Sequence, residues 1–121
     1  MDEKGVKAMI KKIWYSFLFS CHGIKSTFLR ESSFRLEIVA IPFLLLVLVF
    51  LDVTNFRKLI MVSVYILIPC LELLNSAIEK LADYLTTEYD PMIQFVKDAA
   101  SAAVFLAIIF MILVWAACIW F

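Results

Sequence analysis

The run AASAAVFLAIIFMILVWAACIWF, from Ala99 to Phe121, contains no charged residue. At 1.5 Å per residue it is long enough to cross the hydrocarbon core of a bilayer as one helix. A stretch of this kind has no use for water, so the rest of the chain is read with lipid as its solvent. Composition agrees. Of the 121 residues 64% are hydrophobic, and the mean hydropathy is +0.97, above what soluble domains carry.

Two further spans precede that run. One is predicted over about 31–51, where the charge-free part IVAIPFLLLVLVFL is short for a span and continues through Phe34 into the headgroup layer. The other is predicted over about 56–85, roughly 45 Å of helix, enough to cross and protrude. A tight turn at DVTN (52–55) and a polar loop at TTEYDP (86–91) separate the spans. Before them, Val6, Ile10, Ile13, Trp14, Phe17, Cys21 and Ile24 share one side of a helix, with Lys4, Lys7, Lys11, His22 and Lys25 opposite. That pattern predicts an amphipathic surface helix over about 4–25, lysines toward anionic headgroups, with a bend at Gly23. The expected fold is therefore all-α: a single integral-membrane domain, 1–121, of one surface helix and three transmembrane helices (31–51, 56–85, 99–121). The first residues lack an uninterrupted apolar core and a small-residue cleavage site, which argues against a removable signal peptide.

Seven basic residues precede the first span, and Lys80 and Lys97 flank the second loop, whereas only Arg57 and Lys58 flank the first. By the positive-inside rule the N-terminus and the 80–98 loop are cytoplasmic and the C-terminus faces outward, with Trp115 and Trp120 as interfacial anchors. Cys21, Cys70 and Cys118 are odd in number and far apart, so they are read as small buried hydrophobes rather than a disulfide or zinc framework.

The stretch CLELLNSAIEKLADYL (70–85) breaks the apolar pattern. Glu72, Asn75, Ser76, Glu79 and Asp83 follow one another by three or four residues or by one, and all project from one helical face. Glu72 lies about 20 Å along the helix from Lys58, inside the hydrocarbon. A charge there costs about 2.5–3.5 kcal/mol on insertion scales and needs protein or a watery cavity around it. Polar glue between helices of an oligomer is one explanation. A functional site is the other, because two carboxylates with an amide between them exceed what glue requires.

Gly5 and Gly23 are the only glycines, so no phosphate-cradling glycine loop or dinucleotide fingerprint exists. There is no Gly-x-Ser-x-Gly, and the only histidine, His22, falls on the polar face of the surface helix. Carboxylate chemistry remains. Glu31, Glu79, Lys97 and Asp98 are expected at one depth, with Glu72 deeper. Such carboxylates suit Mg²⁺, which takes one or two of them and completes its shell with water and phosphates. With a lysine beside it, that arrangement points to a phosphorylated substrate meeting a lipid.

The segments ESSFRLE (31–37), ELLNSAIEKLADYL (72–85), EYD (88–90) and KDAASAAVFLAI (97–108) resemble the signature of the small prokaryotic integral-membrane diacylglycerol kinase family. The likeness runs from about Lys12 onward. It implies a homotrimeric helical bundle in a bacterial inner membrane, with active sites shared between subunits at the cytoplasmic interface. The implied reaction moves the γ-phosphate of ATP to a lipid hydroxyl, giving phosphatidic acid where the lipid is diacylglycerol, with Mg²⁺ as cofactor and no nucleic-acid partner. Matched to the family's pattern, Glu72 stands as the catalytic base with Asn75 beside it, and Glu31 and Glu79 as ligands of metal and ATP. Lys12, Phe19, Glu88, Tyr89, Asp90, Lys97 and Asp98 match nucleotide positions, and Lys12, Ser16, Arg35, Glu72 and Ser101 match the lipid site.

The chain departs from the family where Phe19 replaces a frequent tyrosine, Asp90 a histidine and Ala100 a glycine; Pro69, one turn before Glu72, can kink the helix and aim the carboxylate. Some family members prefer undecaprenol. ESSFRLE resembles the Glu-x-Ala-Phe-Arg-x-Glu form of diacylglycerol-preferring members, and Arg35, Ser32 and Ser33 offer donors to glycerol-ester carbonyls, so diacylglycerol is the expected substrate and undecaprenol the alternative. An ion pathway would need polar residues continuing outward from Glu72, and residues 59–71 supply only Ser63 and Tyr65. A non-enzymatic accessory subunit would leave Glu31, Glu79, Lys97 and Asp98 gathered without a reason.

Overall fold

A computed structural model describes residues 2–121 as four helices: α1 (Glu3–Arg30), α2 (Ser32–Phe50), α3 (Asn55–Leu85) and α4 (Pro91–Trp120). The last three are long and apolar enough to span a membrane. Three of the four helices begin at a side chain that accepts from the first free N–H groups; α2 starts at Glu31 without such a cap. Asp2 caps α1 by accepting from the Gly5 N–H at 2.8 Å, and Thr54 caps α3 by accepting from the Arg57 N–H at 3.3 Å. Asp90 caps α4, accepting from the Met92 and Ile93 N–H groups at 2.8 and 3.2 Å, with Pro91 in the first turn.

Two of these helices exceed the sequence-based bounds. α1 runs unbroken through Gly23 to Arg30, because nothing crowds that glycine and its helical hydrogen bonds continue. α4 starts at Pro91, well before the charge-free segment at Ala99; the Asp90–Pro91 start signal outweighs the polarity of Gln94, Lys97 and Asp98 on its first turns. The second loop therefore shrinks to 86–90.

α3 is the central element, packed along α4 and also touching α2 and α1. One end of this bundle is held by a small apolar cluster of Leu48, Met61 and Cys118, with Leu44, Ile60, Val114 and Trp115 around it. The Arg57 guanidinium donates to the carbonyls of Cys118 and Phe121 at 2.9 and 2.8 Å, so a cation from α3 closes the negative C-terminal end of α4. The indole N–H of Trp115 donates to the Met61 carbonyl at 3.0 Å and its ring packs on the cluster, a structural role in place of the expected interfacial anchor. Trp120 stays exposed.

Elsewhere the apolar side chains face outward. Leu36, Phe43, Val49, Phe105 and Leu113 are each more than half exposed on a single chain, the surface that lipid or another copy must cover. Only Cys118 of the three cysteines is buried; Cys21 and Cys70 lie on these outward faces, contrary to the expectation for them.

Candidate functional site

The site begins at a corner. Glu31 is the single residue between α1 and α2, in extended conformation (φ −109°, ψ 114°). Its N–H donates to the Thr27 carbonyl at 2.8 Å and its carbonyl accepts from the Arg35 N–H at 3.1 Å, so it ends one helix and starts the next. The Arg35 side chain locks the joint: Nε donates to the Phe28 carbonyl and Nη2 to the Leu29 carbonyl, both at 2.9 Å. Those carbonyls belong to the last turn of α1, where a cation is favoured. Arg35 was expected at the lipid; the structure spends its guanidinium on the corner instead.

Glu31 then meets the polar face of α3. An open hollow of about 350 Å³ is lined by Glu31 and Ser33 at the start of α2, Glu72, Asn75 and Glu79 of α3, and Ser101 of α4. Val104, Phe105 and Ile108 of α4 supply the apolar side. Three carboxylates thus share one space, with an amide between two of them. Asn75 is buried; its Nδ2 donates to Glu79 Oε1 at 3.4 Å, a long and weak bond, while its Oδ1 has no partner among the described residues. A buried acceptor left free beside carboxylates is available to a cation or to a donor on a substrate. Lys80, on the turn of Glu79, forms an ion pair with Glu31 at 3.2 Å.

The polar stripe of α3 divides between two places. Asp83, one turn beyond Glu79, belongs to a second hollow of about 260 Å³, lined by Asp83, Thr86, Thr87, Glu88, Tyr89, Asp90, Ile93, Gln94 and Lys97. There Lys97 donates to Asp83 at 2.8 Å, and Asp98, just past it, accepts from Gln94 Nε2 at 2.8 Å. Asp90 Oδ1 is engaged in capping α4. Glu88, Tyr89, Asp90 and Lys97 are therefore gathered, apart from Glu31 and Glu79 of the first hollow. Lys12, Ser16 and Phe19 are exposed along α1 and line neither hollow; Phe19 stacks near Tyr15, with ring centroids 6.5 Å apart.

One half-buried acid is not singled out by the sequence. Glu37, one and a half turns beyond Glu31, has its Oε2 buried without a partner, and its backbone carbonyl accepts from the Tyr65 hydroxyl at 2.7 Å. It sits inside the quoted ESSFRLE segment, and its place two residues past Arg35 on the threshold of an apolar run was the available signal.

No three His, Cys, Asp or Glu side chains among the described residues converge closely enough to hold a metal alone. Glu31, Glu79 and the free Asn75 oxygen put hard oxygen donors on this hollow, the ligand type that Mg²⁺ takes together with water and phosphate oxygens.

The helices and the first hollow define a multi-pass membrane protein with a carboxylate site set between its spans. Residues 18–119 match the family Prokaryotic diacylglycerol kinase. The chain is 33% identical over 116 residues to the diacylglycerol kinase of Escherichia coli, an alignment covering 96% of this chain and 92% of that one. It is 36% identical over 103 residues to the diacylglycerol kinase of Haemophilus influenzae, covering 85% and 87% of the two chains. With that of Helicobacter pylori strain 26695 the identity is 34% over 117 residues, covering 93% and 84%. The chain belongs to the prokaryotic diacylglycerol kinase family.

Because the corner rests on a two-pronged contact, Arg35→Lys should not replace it: an ammonium lacks the planar fork that reaches two carbonyls at once. Both Arg35→Ala and Arg35→Lys are expected to lower the thermal unfolding midpoint in detergent, the alanine variant losing about 1–2 kcal/mol. Wild-type stability in Arg35→Lys would show that the fork is dispensable.

Proposed function

We propose that the first hollow is the phosphoryl-transfer site of a diacylglycerol kinase, which moves the γ-phosphate of ATP to the free hydroxyl of diacylglycerol. The observation that carries this reading is the meeting of Glu31, Glu72, Asn75, Glu79 and Ser101 in one mainly polar space with an apolar side, in a member of this family. An amphiphilic alcohol needs both. Its chains would run along the Val104, Phe105 and Ile108 side while its hydroxyl reaches the carboxylates.

Glu72 is the base. It is the deepest of the three carboxylates, about 10 Å along α3 from Glu79, and so matches a hydroxyl lying below the phosphate level. It takes the hydroxyl proton as the lipid oxygen attacks phosphorus and the bond to the leaving ADP oxygen breaks. Asn75, held between the two acids, orients them with its amide. Glu31 and Glu79 are the residues that would hold Mg²⁺, which supplies charge neutralisation at the β- and γ-phosphates when bound. Lys97, once released from Asp83, would offset charge on the transferring group, and Glu88–Asp90, which line the adjoining hollow with it, would contact the nucleotide. Positioning and electrostatics carry the reaction, and no covalent enzyme intermediate is needed.

The assembly we infer is a homotrimer with shared sites. Lys12, Ser16 and Phe19 lie away from the hollow of their own chain, and the small residues Ala99, Ala102 and Ala103 present an exposed face where another copy's helix can approach closely. These three share one side of α4, while Ser101 turns to the hollow; a neighbour's surface helix can then complete the site. The basic-residue asymmetry supports an inner-membrane topology with the hollow toward the cytoplasm, where ATP is found.

The direct test is radiolabelled ATP with purified protein, Mg²⁺ and lipid extract: label passes to lipid if the reading holds, and its absence ends it. Glu72→Gln is expected to keep the fold and nucleotide binding but lower turnover by a factor of about 10² or more. Near-normal turnover would remove Glu72 from the base role. Glu79→Gln should instead raise the Mg²⁺ and ATP concentrations needed for half-maximal rate, and unchanged dependence on both would refute the metal assignment.

Diacylglycerol is the better substrate in this reading, and with Arg35 committed to the corner the ester contact passes to Ser33, which lines the hollow. Competition between diacylglycerol and undecaprenol at equal mole fraction in mixed micelles measures the choice. A higher kcat/KM for undecaprenol would reverse it while leaving the kinase chemistry intact.

A further inference from the structure

The ion pair at the corner has no part in the chemistry described above. Glu31 Oε1 lies 3.2 Å from Lys80 Nζ, with the glutamate side chain 24% exposed and the lysine 67%. The other ion pairs among the described residues are Lys7 with Glu3 and Lys97 with Asp83, so Lys80 is the one cation at contact distance from a carboxylate of the first hollow. Its place follows from the sequence. Glu79 faces the hollow, and the next residue is turned about 100° around α3, which carries Lys80 out of the hollow and across to the α1–α2 joint where Glu31 is fixed.

We propose that Lys80 is a built-in competitor of the divalent cation at Glu31, setting how much Mg²⁺ the enzyme needs. This rests on Glu31 being a metal ligand. An ammonium and Mg²⁺ on one carboxylate would stand a few ångströms apart and repel, whichever oxygens they take. Binding the metal therefore weakens the Lys80 contact or releases it. The lysine can leave: its stem is flexible, most of its side chain is exposed, and its head has water or a substrate phosphate to turn to. The pair acts as a tuned resistance rather than a block. While it holds, the ammonium offsets part of the repulsion among Glu31, Glu72 and Glu79, so the three acids can share their space before the metal–nucleotide arrives.

The effect scales with the strength of the pair. Exposed ion pairs are weak, and competition of that strength alters the apparent metal affinity roughly two- to five-fold. The probe is Mn²⁺, followed by its electron paramagnetic resonance signal, titrated into the purified full-length protein with and without a non-hydrolysable ATP analogue. Lys80→Gln is expected to bind Mn²⁺ two- to five-fold more tightly than wild type and to reach half-maximal rate at correspondingly lower Mg²⁺. Lys80→Arg, which keeps the charge and pairs at least as well, should bind Mn²⁺ no more tightly than wild type. Glu31→Gln, measured alongside, should bind it more weakly.

If Glu31→Gln weakens Mn²⁺ binding and Lys80→Gln leaves it unchanged or weaker, the competition is refuted and the metal site stands. If Glu31→Gln has no effect, or wild type binds no Mn²⁺ under either condition, the metal reading and this proposal fall together. Equal tightening in Lys80→Gln and Lys80→Arg would also overturn the proposal, since the arginine retains the competing charge.

Discussion

A carboxylate inside hydrocarbon needs protein or water around it, and α3 carries Glu72 and Glu79 with Asn75 and Ser76 on the same face. Much of the architecture answers that need. α3 packs along α4 and touches both α1 and α2, so it becomes the middle of the bundle although its sequence is the least uniformly apolar of the three spans. Asn75 and Ser76 are buried while Leu74 and Leu81 on the opposite side stay exposed. Around Asn75 and Ser76 the usual soluble arrangement, apolar within and polar without, is inverted, because the outer solvent is lipid.

The two ends of the bundle are held by different means. At the end bearing the α2–α3 turn, a small cluster around Met61 and an arginine on the α4 carbonyls fix the helices to one another. At the other end Phe34, Ala82 and Val104 are buried, and charged side chains add to the packing: Arg35 on the last carbonyls of α1, Lys80 on Glu31, Lys97 on Asp83. The two ion pairs are partly exposed, individually weak and exchangeable for other charges, unlike the two-pronged Arg35 contact.

The spans, their order and the polar face of α3 were legible in the sequence because each depends on local periodicity. Glu72, Asn75 and Glu79 share a hollow for the reason their spacing gave. What escaped depended on where separate segments meet. Arg35 reads as a free donor in ESSFRLE, and only the fold shows that α1 ends five residues earlier, with its carbonyls in reach. Trp115 has the composition of an interfacial anchor, yet α3 places the Met61 carbonyl beside its N–H. The start of α4 is hidden for another reason: hydropathy marks only the charge-free part from Ala99, whereas Asp90 and Pro91 set the helix start by capping. Lys80 was counted for topology alone, since nothing in the order of residues reveals that Glu31 lies across from it.

The joint between α1 and α2 contains a single residue, which leaves it no slack. A loop of several residues absorbs an insertion by bulging, as the connections at 51–54 and 86–90 could. An added or deleted residue next to Glu31 has nowhere to go, and would turn one helix by about 100° and shift it by about 1.5 Å relative to the other. Glu31 would swing off α3, or the apolar face of the surface helix would swing off the bilayer. The joint is in effect a fixed gear tooth between the membrane plane and the acid site, and among relatives of this protein the spacing across it should tolerate substitutions far better than changes in length.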